Sequence, residues 1–211
     1  MLHFEKMDFT RTEDCAALVQ DAFRGDPLFS AVAKGREKPY AALMDLFTQV
    51  WLNTQTTFAA TEDGALVGAA IVGDADSAVV SVGSLFKFGA GKVLLSCGVG
   101  SFLAFLNASG QFDRAFDGVE GPKHYLTLLA VAPAAQGSGI GSALVQSCVL
   151  PHVRQMGGKT LCLNTNRERN RGFYRKNGFT QTGTSSCRIN GRQVENWSYQ
   201  LDISVTEKER L

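Results

Sequence analysis

Val131-Ala132-Pro133-Ala134-Ala135-Gln136-Gly137-Ser138-Gly139-Ile140-Gly141-Ser142-Ala143-Leu144-Val145 is the stretch that decides the fold of this chain. An apolar run from Tyr125 to Val131 stops at a proline, and three glycines at alternate positions then lead into an apolar-periodic segment. That order reads as a strand, a tight turn and a helix start. Glycine is needed where backbone takes positive φ or comes close to a ligand, and the first amides of a helix lack internal partners. The helix dipole adds about half a positive charge at that end, so such a turn suits a phosphate or pyrophosphate.

Two nucleotide loops are excluded by the letters. A phosphate loop of the GxxxxGK[ST] type needs Lys-Ser or Lys-Thr after its last glycine, whereas Ser142-Ala143 follows here. The dinucleotide fingerprint GxGxxG needs its third glycine where Ser142 stands, and an acidic residue about twenty positions on. Neither is present.

Outward from the loop, Leu128-Leu129-Ala130-Val131-x-Pro133 precedes it and Leu161-Cys162-Leu163-Asn164-Thr165 follows its helix. Next comes Asn170-x-x-Phe173-Tyr174-x-Lys176-x-Gly178-Phe179. With Gln136-x-x-Gly139-x-Gly141, these blocks resemble the Gcn5-related N-acetyltransferase (GNAT) family, over roughly residues 120–180. A looser similarity, carried by the Leu-Leu-Ala-Val-x-Pro block and a long insert, is to puromycin-type members.

The chain has 211 residues, 45% of them hydrophobic, enough for one core with an elaborate insert, and one domain spanning 1–211 is expected. Twenty-one basic and 20 acidic residues leave a formal charge of +1, so no global field points to nucleic acid or an anionic membrane. Five scattered cysteines without a Cys-x-x-Cys pair read as reduced thiols, and His3, His124 and His152 have no metal-binding spacing. Charges near Met1 stand where a signal peptide needs an apolar run, and the expectation is a cytoplasmic protein. The near-apolar stretch 93–106 is shorter than the ~18 to 20 residues a spanning helix needs.

In chain order, 2–9 reads as a strand, 12–24 as a helix capped by Thr12, 28–34 as a helical turn and 40–53 as a helix. Residues 56–61 and 66–72 form a hairpin through Glu62-Asp63-Gly64-Ala65. Residues 75–119 combine glycines with phenylalanines and are expected to make two or three short helices. A fourth strand over 123–131 leads into the loop, a helix over 138–156 is kinked near Pro151, and 160–165 is the fifth strand. A short helix closes at Gly178, a second hairpin turns at Asn190-Gly191, and the tail 205–211 is expected to fray. The fold class is mixed α/β (α+β): a GNAT-like central sheet of about six to seven strands flanked by helices, with a helical insert between strands 3 and 4.

The resemblance implies acetyl-CoA as cosubstrate, no metal, and direct attack by a primary amine of a small molecule or peptide. It places the pyrophosphate on Gln136, Gly137, Ser138, Gly139, Ile140, Gly141 and Ser142. The pantetheine arm then runs along Leu129, Ala130 and Val131, with Asn164 and Asn170 beside it. Tyr174 would protonate the leaving thiolate, which suits a phenol because it stays protonated at neutral pH. One departure stands out, since a glutamate is common in the family where this chain has Asn164. The base for the amine is left open between Glu120, His124 and water. Among Lys159, Arg167, Arg169, Arg171, Arg175 and Lys176, one or two could meet the 3′-phosphate, and solvated surface is the ordinary role of the others. The expected assembly is a monomer or homodimer. The competing readings are a CoA-binding module without turnover and a nucleotide phosphate site.

Overall fold

Seven strands make one mixed sheet in the computed structural model, which describes residues 1–74 and 82–204. They are β1 (Leu2–Lys6), β2 (Thr56–Glu62), β3 (Ala65–Asp74), β4 (Lys123–Val131), β5 (Thr160–Thr165), β6 (Thr180–Ile189) and β7 (Arg192–Asp202). Their order is β1-β2-β3-β4-β5-β7-β6, and only β4 and β5 pair in parallel. The two hairpins turn through Asp63-Gly64 (φ 49° and 84°) and Asn190-Gly191 (φ 49° and 80°). Positive φ at both central residues matches the right-handed twist of the flanking strands.

Helices α1 (Thr12–Ala22), α2 (Pro27–Val32) and α3 (Glu37–Thr54) separate β1 from β2. The insert before β4 contains α4 (Val82–Lys87), α5 (Ala90–Cys97) and α6 (Val99–Asp113). The expected insert also covers 75–81, and the expected fraying covers 205–211; both segments lie outside the described residues. Thr12 does not cap the first helix: Arg11 holds the cap position of α1, and Asp8 accepts the Thr10 amide in a preceding turn.

After the loop, α7 (Ile140–Leu144) runs through a π-helical turn, Val145–Val149, into α8 (Leu150–Gln155). The break expected at Pro151 is thus a change of winding just ahead of it. Proline has no N–H for the helix and crowds the preceding turn, and a widened turn accommodates both. Arg171–Lys176 forms the last helix, α9.

Side chains of β4 do not keep one alternation. Ile71 of β3 pairs with Leu128 and Val72 with Leu126, leaving Thr127 as an extra residue. Such a bulge bends a strand and reverses its side-chain phase. Leu128 and Ala130 consequently join the core under α1, α2, α3, α5 and α6, whereas Leu126 joins the opposite core with Ile140, Leu144 and Val149. Each core buries aliphatic side chains worth about 1.5 to 3 kcal/mol apiece.

The helix that follows the loop returns to β5 through Gly158, which is buried between β4 and α8. A Cβ on Gly158 would lie 2.4 Å from His124 Nδ1 and 2.5 Å from Val153 Cγ1. Both neighbours are themselves buried and stiff. Gly158→Ala is therefore expected to destabilise the fold by about 1 to 3 kcal/mol, read as a shift of the midpoint in chemical denaturation with an unchanged slope.

Candidate active site

Parallel pairing of β4 with β5 covers only Lys123↔Thr160, His124↔Leu161 and Tyr125↔Cys162. Beyond it, β4 stays on β3 as far as Val131 and β5 stays on β7 as far as Thr165, so the two strands part like a V. A cavity of about 830 Å³ occupies the opening, lined by Tyr125 to Leu129 and Val131 on one side and Leu163 to Thr165 on the other. The Thr127 bulge bends β4 at the point where the two strands separate.

At the mouth of the V lies the glycine loop. Gly137 and Gly139 have φ of 86° and 90°, which L side chains rarely adopt. The Gln136 amide nitrogen of the side chain donates to the Val131 carbonyl at 3.1 Å, and Ser138 Oγ donates to the Ala135 carbonyl at 2.6 Å. These two side chains hold the loop in shape. The first helical bond runs from the Ala143 amide to the Gly139 carbonyl at 2.9 Å, leaving the Ile140, Gly141 and Ser142 amides ahead of it without helical partners. Gly141 serves packing: a Cβ there would stand 3.3 Å from the Phe173 ring and 3.6 Å from Val131 Cγ2.

Tyr174 lies on α9, 8% exposed, with its ring tilted on Tyr199 and edge-on to Phe173 and Phe179. It reaches the cavity wall. Burial, with the nearby Tyr199 hydroxyl adding, raises its pKa well above the ordinary phenol value, so it keeps its proton across the neutral range. Asn170 occupies the cap position of α9 without capping it, and its side chain instead donates to Thr165 Oγ1 at 3.1 Å.

No acid stands at position 164, but one stands beside it. Asn164 Nδ2 donates to Asp113 Oδ1 at 2.8 Å, at the last residue of α6. The orientation of that amide is determined: its oxygen accepts from Ser198 Oγ at 2.7 Å and from Asn196 Nδ2 at 3.1 Å, both on buried residues of β7. The nitrogen is thereby turned toward Asp113. Asp113 opens onto the cavity, yet surrounding protein displaces enough water to push its carboxyl up to about 6; the Asn164 bond opposes this and Asp117 adds to it.

The far wall is apolar and aromatic, with Leu28, Phe29, Phe47, Trp51, Phe105 and Phe112 from α2, α3 and α6. Asp26 also reaches it, but this carboxylate accepts the Leu28 and Phe29 amides and faces Arg167 Nε at 3.6 Å. Burial outweighs the helix amides and Arg167, raising the Asp26 pKa. Arg167 in turn donates to the carbonyls of Ala22, Phe23 and Arg24.

Of the residues singled out in sequence, Leu129, Val131, Gln136, Gly137, Gly139, Ile140, Gly141, Ser142, Asn164, Asn170 and Tyr174 share this cavity. Ala130 points into the core and Ser138 lies outside the lining. Of the basic candidates, Arg167, Arg169 and Lys176 line it. Neither open candidate for the base does: His124 is buried against Gly158 with its pKa lowered by desolvation, and Glu120 lies in a separate shallow groove with Thr160 and Gln200.

Residues 97–181 match the family model of the acetyltransferase (GNAT) domain. No curated protein matches the sequence. Solved structures align along nearly the full chain. A polyamine N-acetyltransferase from Drosophila melanogaster does so with a TM-score of 0.70 at 14% identity, covering 96% of this chain and 100% of that one. An N-acetyltransferase from Staphylococcus aureus gives 0.58 at 16%, over 96% and 99%. The ribosomal-protein-S18-alanine N-acetyltransferase from Escherichia coli gives 0.57 at 15%, over 99% and 97%. The acetyltransferase (GNAT) domain model thus covers the central segment, and the fold of these solved N-acetyltransferases runs along nearly the whole chain.

Proposed function

We propose that this chain transfers an acetyl group from acetyl-CoA to a primary amine by direct attack while both substrates are bound. The observation that carries this reading is the single cavity joining the loop amides to the open V between β4 and β5. A pyrophosphate fits the loop, whose positive-φ glycines turn free amides outward at a helix start. An extended arm with amide groups fits beside Leu129, Ala130 and Val131, where β4 has lost β5 as a partner and a strand-like ligand can pair in its place. Asn164 and Asn170 stand on the opposite side of that slot.

Holding amine and thioester in line supplies several kcal/mol of the barrier without a covalent intermediate. When the amine nitrogen attacks the thioester carbon, a tetrahedral adduct forms, and its collapse breaks the carbon–sulfur bond. Tyr174 gives its proton to the departing sulfur, and the proton lost by the acetylated nitrogen restores it. Taken alone the first transfer runs uphill, because a phenol holds its proton more tightly than a thiol; the second offsets it. Arg169 and Lys176, on the α9 side of the cavity, are placed to meet the remaining phosphate charge.

CoA should raise the melting temperature of the purified protein, while ATP and NAD should not; absence of a CoA shift would sink the proposal. Tyr174→Phe is expected to lower kcat for amine acetylation on the order of 10²-fold or more with CoA binding retained, measured by thiol release. Tight CoA binding without turnover on any amine would instead mark a non-catalytic CoA module.

A further inference from the structure

We infer that Asp113 is the anchor and first proton acceptor for the acceptor amine, and that the acceptor is a primary monoamine with a hydrophobic, ring-bearing body. This rests on the acetyltransferase reading and narrows it. Two carboxylates line the cavity among the described residues, Asp26 and Asp113. Asp26 is committed to the first amides of α2 and to Arg167, so Asp113 alone is offered to a cation. A polyamine would bring further cationic centres to a wall of Phe29, Phe47, Trp51, Phe105 and Phe112 that has no counter-charge for them. Aromatic faces and edges of that kind suit a ring. A free carboxylate on the acceptor would also lack a partner on that wall, because Arg167 is already taken up by Asp26 and three backbone carbonyls and the other two cations, Arg169 and Lys176, line the α9 side.

Asn164 is a positioning residue. Pinned by Ser198 and Asn196, it holds one oxygen of Asp113 and leaves the other for the ammonium. Around Asp113 lie Asp117 on the following turn, Arg114 beside it, Tyr125 on β4, and Cys162 on β5. Lys123, next to Cys162, has its ammonium on the Phe116 carbonyl at 2.9 Å. The amine loses two protons in all. One passes from the ammonium to Asp113 and on to solvent before attack; the other leaves the adduct nitrogen and replaces the proton that Tyr174 gave to sulfur. The net reaction releases one proton with the amide and the free thiol.

The test uses the purified protein with acetyl-CoA and four probe amines: 2-phenylethylamine, tryptamine, spermidine and agmatine. The two ring-bearing monoamines should be acetylated with kcat/KM at least tenfold above the two polycations. With 2-phenylethylamine, wild-type kcat/KM should rise through about pH 6 and then stay level up to the amine's own ionisation near pH 10. Asp113→Asn should lower it on the order of 10²-fold or more at pH 7 and leave a rate that climbs about tenfold per pH unit, since only the neutral amine then reacts.

Stability separates this role from a structural one. The Asp113 carboxyl ionises at higher pH folded than unfolded, so between about pH 4 and 6 the unfolded chain sheds its proton first and folded stability falls as pH rises. Asp113→Asn should therefore melt higher relative to wild type at pH 7 than at pH 4, with the CoA shift kept. CoA binding together with preferred turnover of spermidine or agmatine would overturn the substrate class. Unchanged rates and pH profile in Asp113→Asn would overturn the anchor. A wild type that does not bind CoA would instead fail the acetyltransferase reading beneath both.

Discussion

A parallel strand pair that comes apart halfway leaves backbone donors and acceptors facing a gap, and such groups need partners when water is excluded. In this chain the gap opens after Tyr125 and Cys162, while each strand keeps its neighbour on the other side to its end. The sheet is therefore continuous at one end and incomplete at the other. The rest of the site is arranged around that incompleteness. The glycine loop lies at the open end of β4, α9 follows the open end of β5, and the bulge at Thr127 bends β4 away and moves Leu129 and Val131 onto the cavity side. On the proposed reading, a strand-like ligand restores the missing ladder, which ties its binding to the backbone and makes it tolerant of side-chain detail.

Shifting the carboxylate from the sheet to the end of α6 has a physical consequence. An acid at position 164 would stand on β5 within the sheet, held by its β7 neighbours. Asp113 instead closes the helix that also contributes Phe105 and Phe112 to the acceptor wall. On the proposed reading, the element that shapes the pocket for the body of the amine also carries the group that receives its charge. Asn164 keeps the link to the sheet, its amide oxygen accepting from Ser198 and Asn196 while its nitrogen donates to Asp113.

Features that depend on neighbouring residues were legible in the sequence. Asn190-Gly191 and Asp63-Gly64 demand positive φ, β5 fell at 160–165 as expected, and the glycine loop was placed from its spacing. Gly141 reads in sequence as part of the pyrophosphate loop, and its lack of a Cβ also makes room for Phe173, thirty-two residues on. Asp113 was not legible, because its place depends on the 112° bend between α5 and the helix that follows and on where that helix stops. A hint was available: residues 77–112 contain no acid at all, and Asp113 ends that stretch between the helically spaced Phe112 and Phe116. An isolated carboxylate at the end of an apolar insert, in a chain with Asn164 where an acid is common, is a pairing worth seeking.

Acceptor and donor halves must be held in register for proximity to count, since a shift of about 1 Å can cost on the order of 10²-fold in rate. The tie between them is Arg167, which stands just before α9 and reaches across to the carbonyls that end α1 and to Asp26 at the start of α2. As a buried pair it adds little net stability, because desolvating both charges offsets most of their attraction. Its raised Asp26 pKa says the same, with burial outweighing the guanidinium. What the pair supplies is geometry: breaking either partner would strand a buried charge, so the wall carrying Leu28 and Phe29 cannot slide independently of the segment carrying Asn170 and Tyr174. On the proposed reading, that arrangement adds little to stability and fixes the distance between the two reacting atoms.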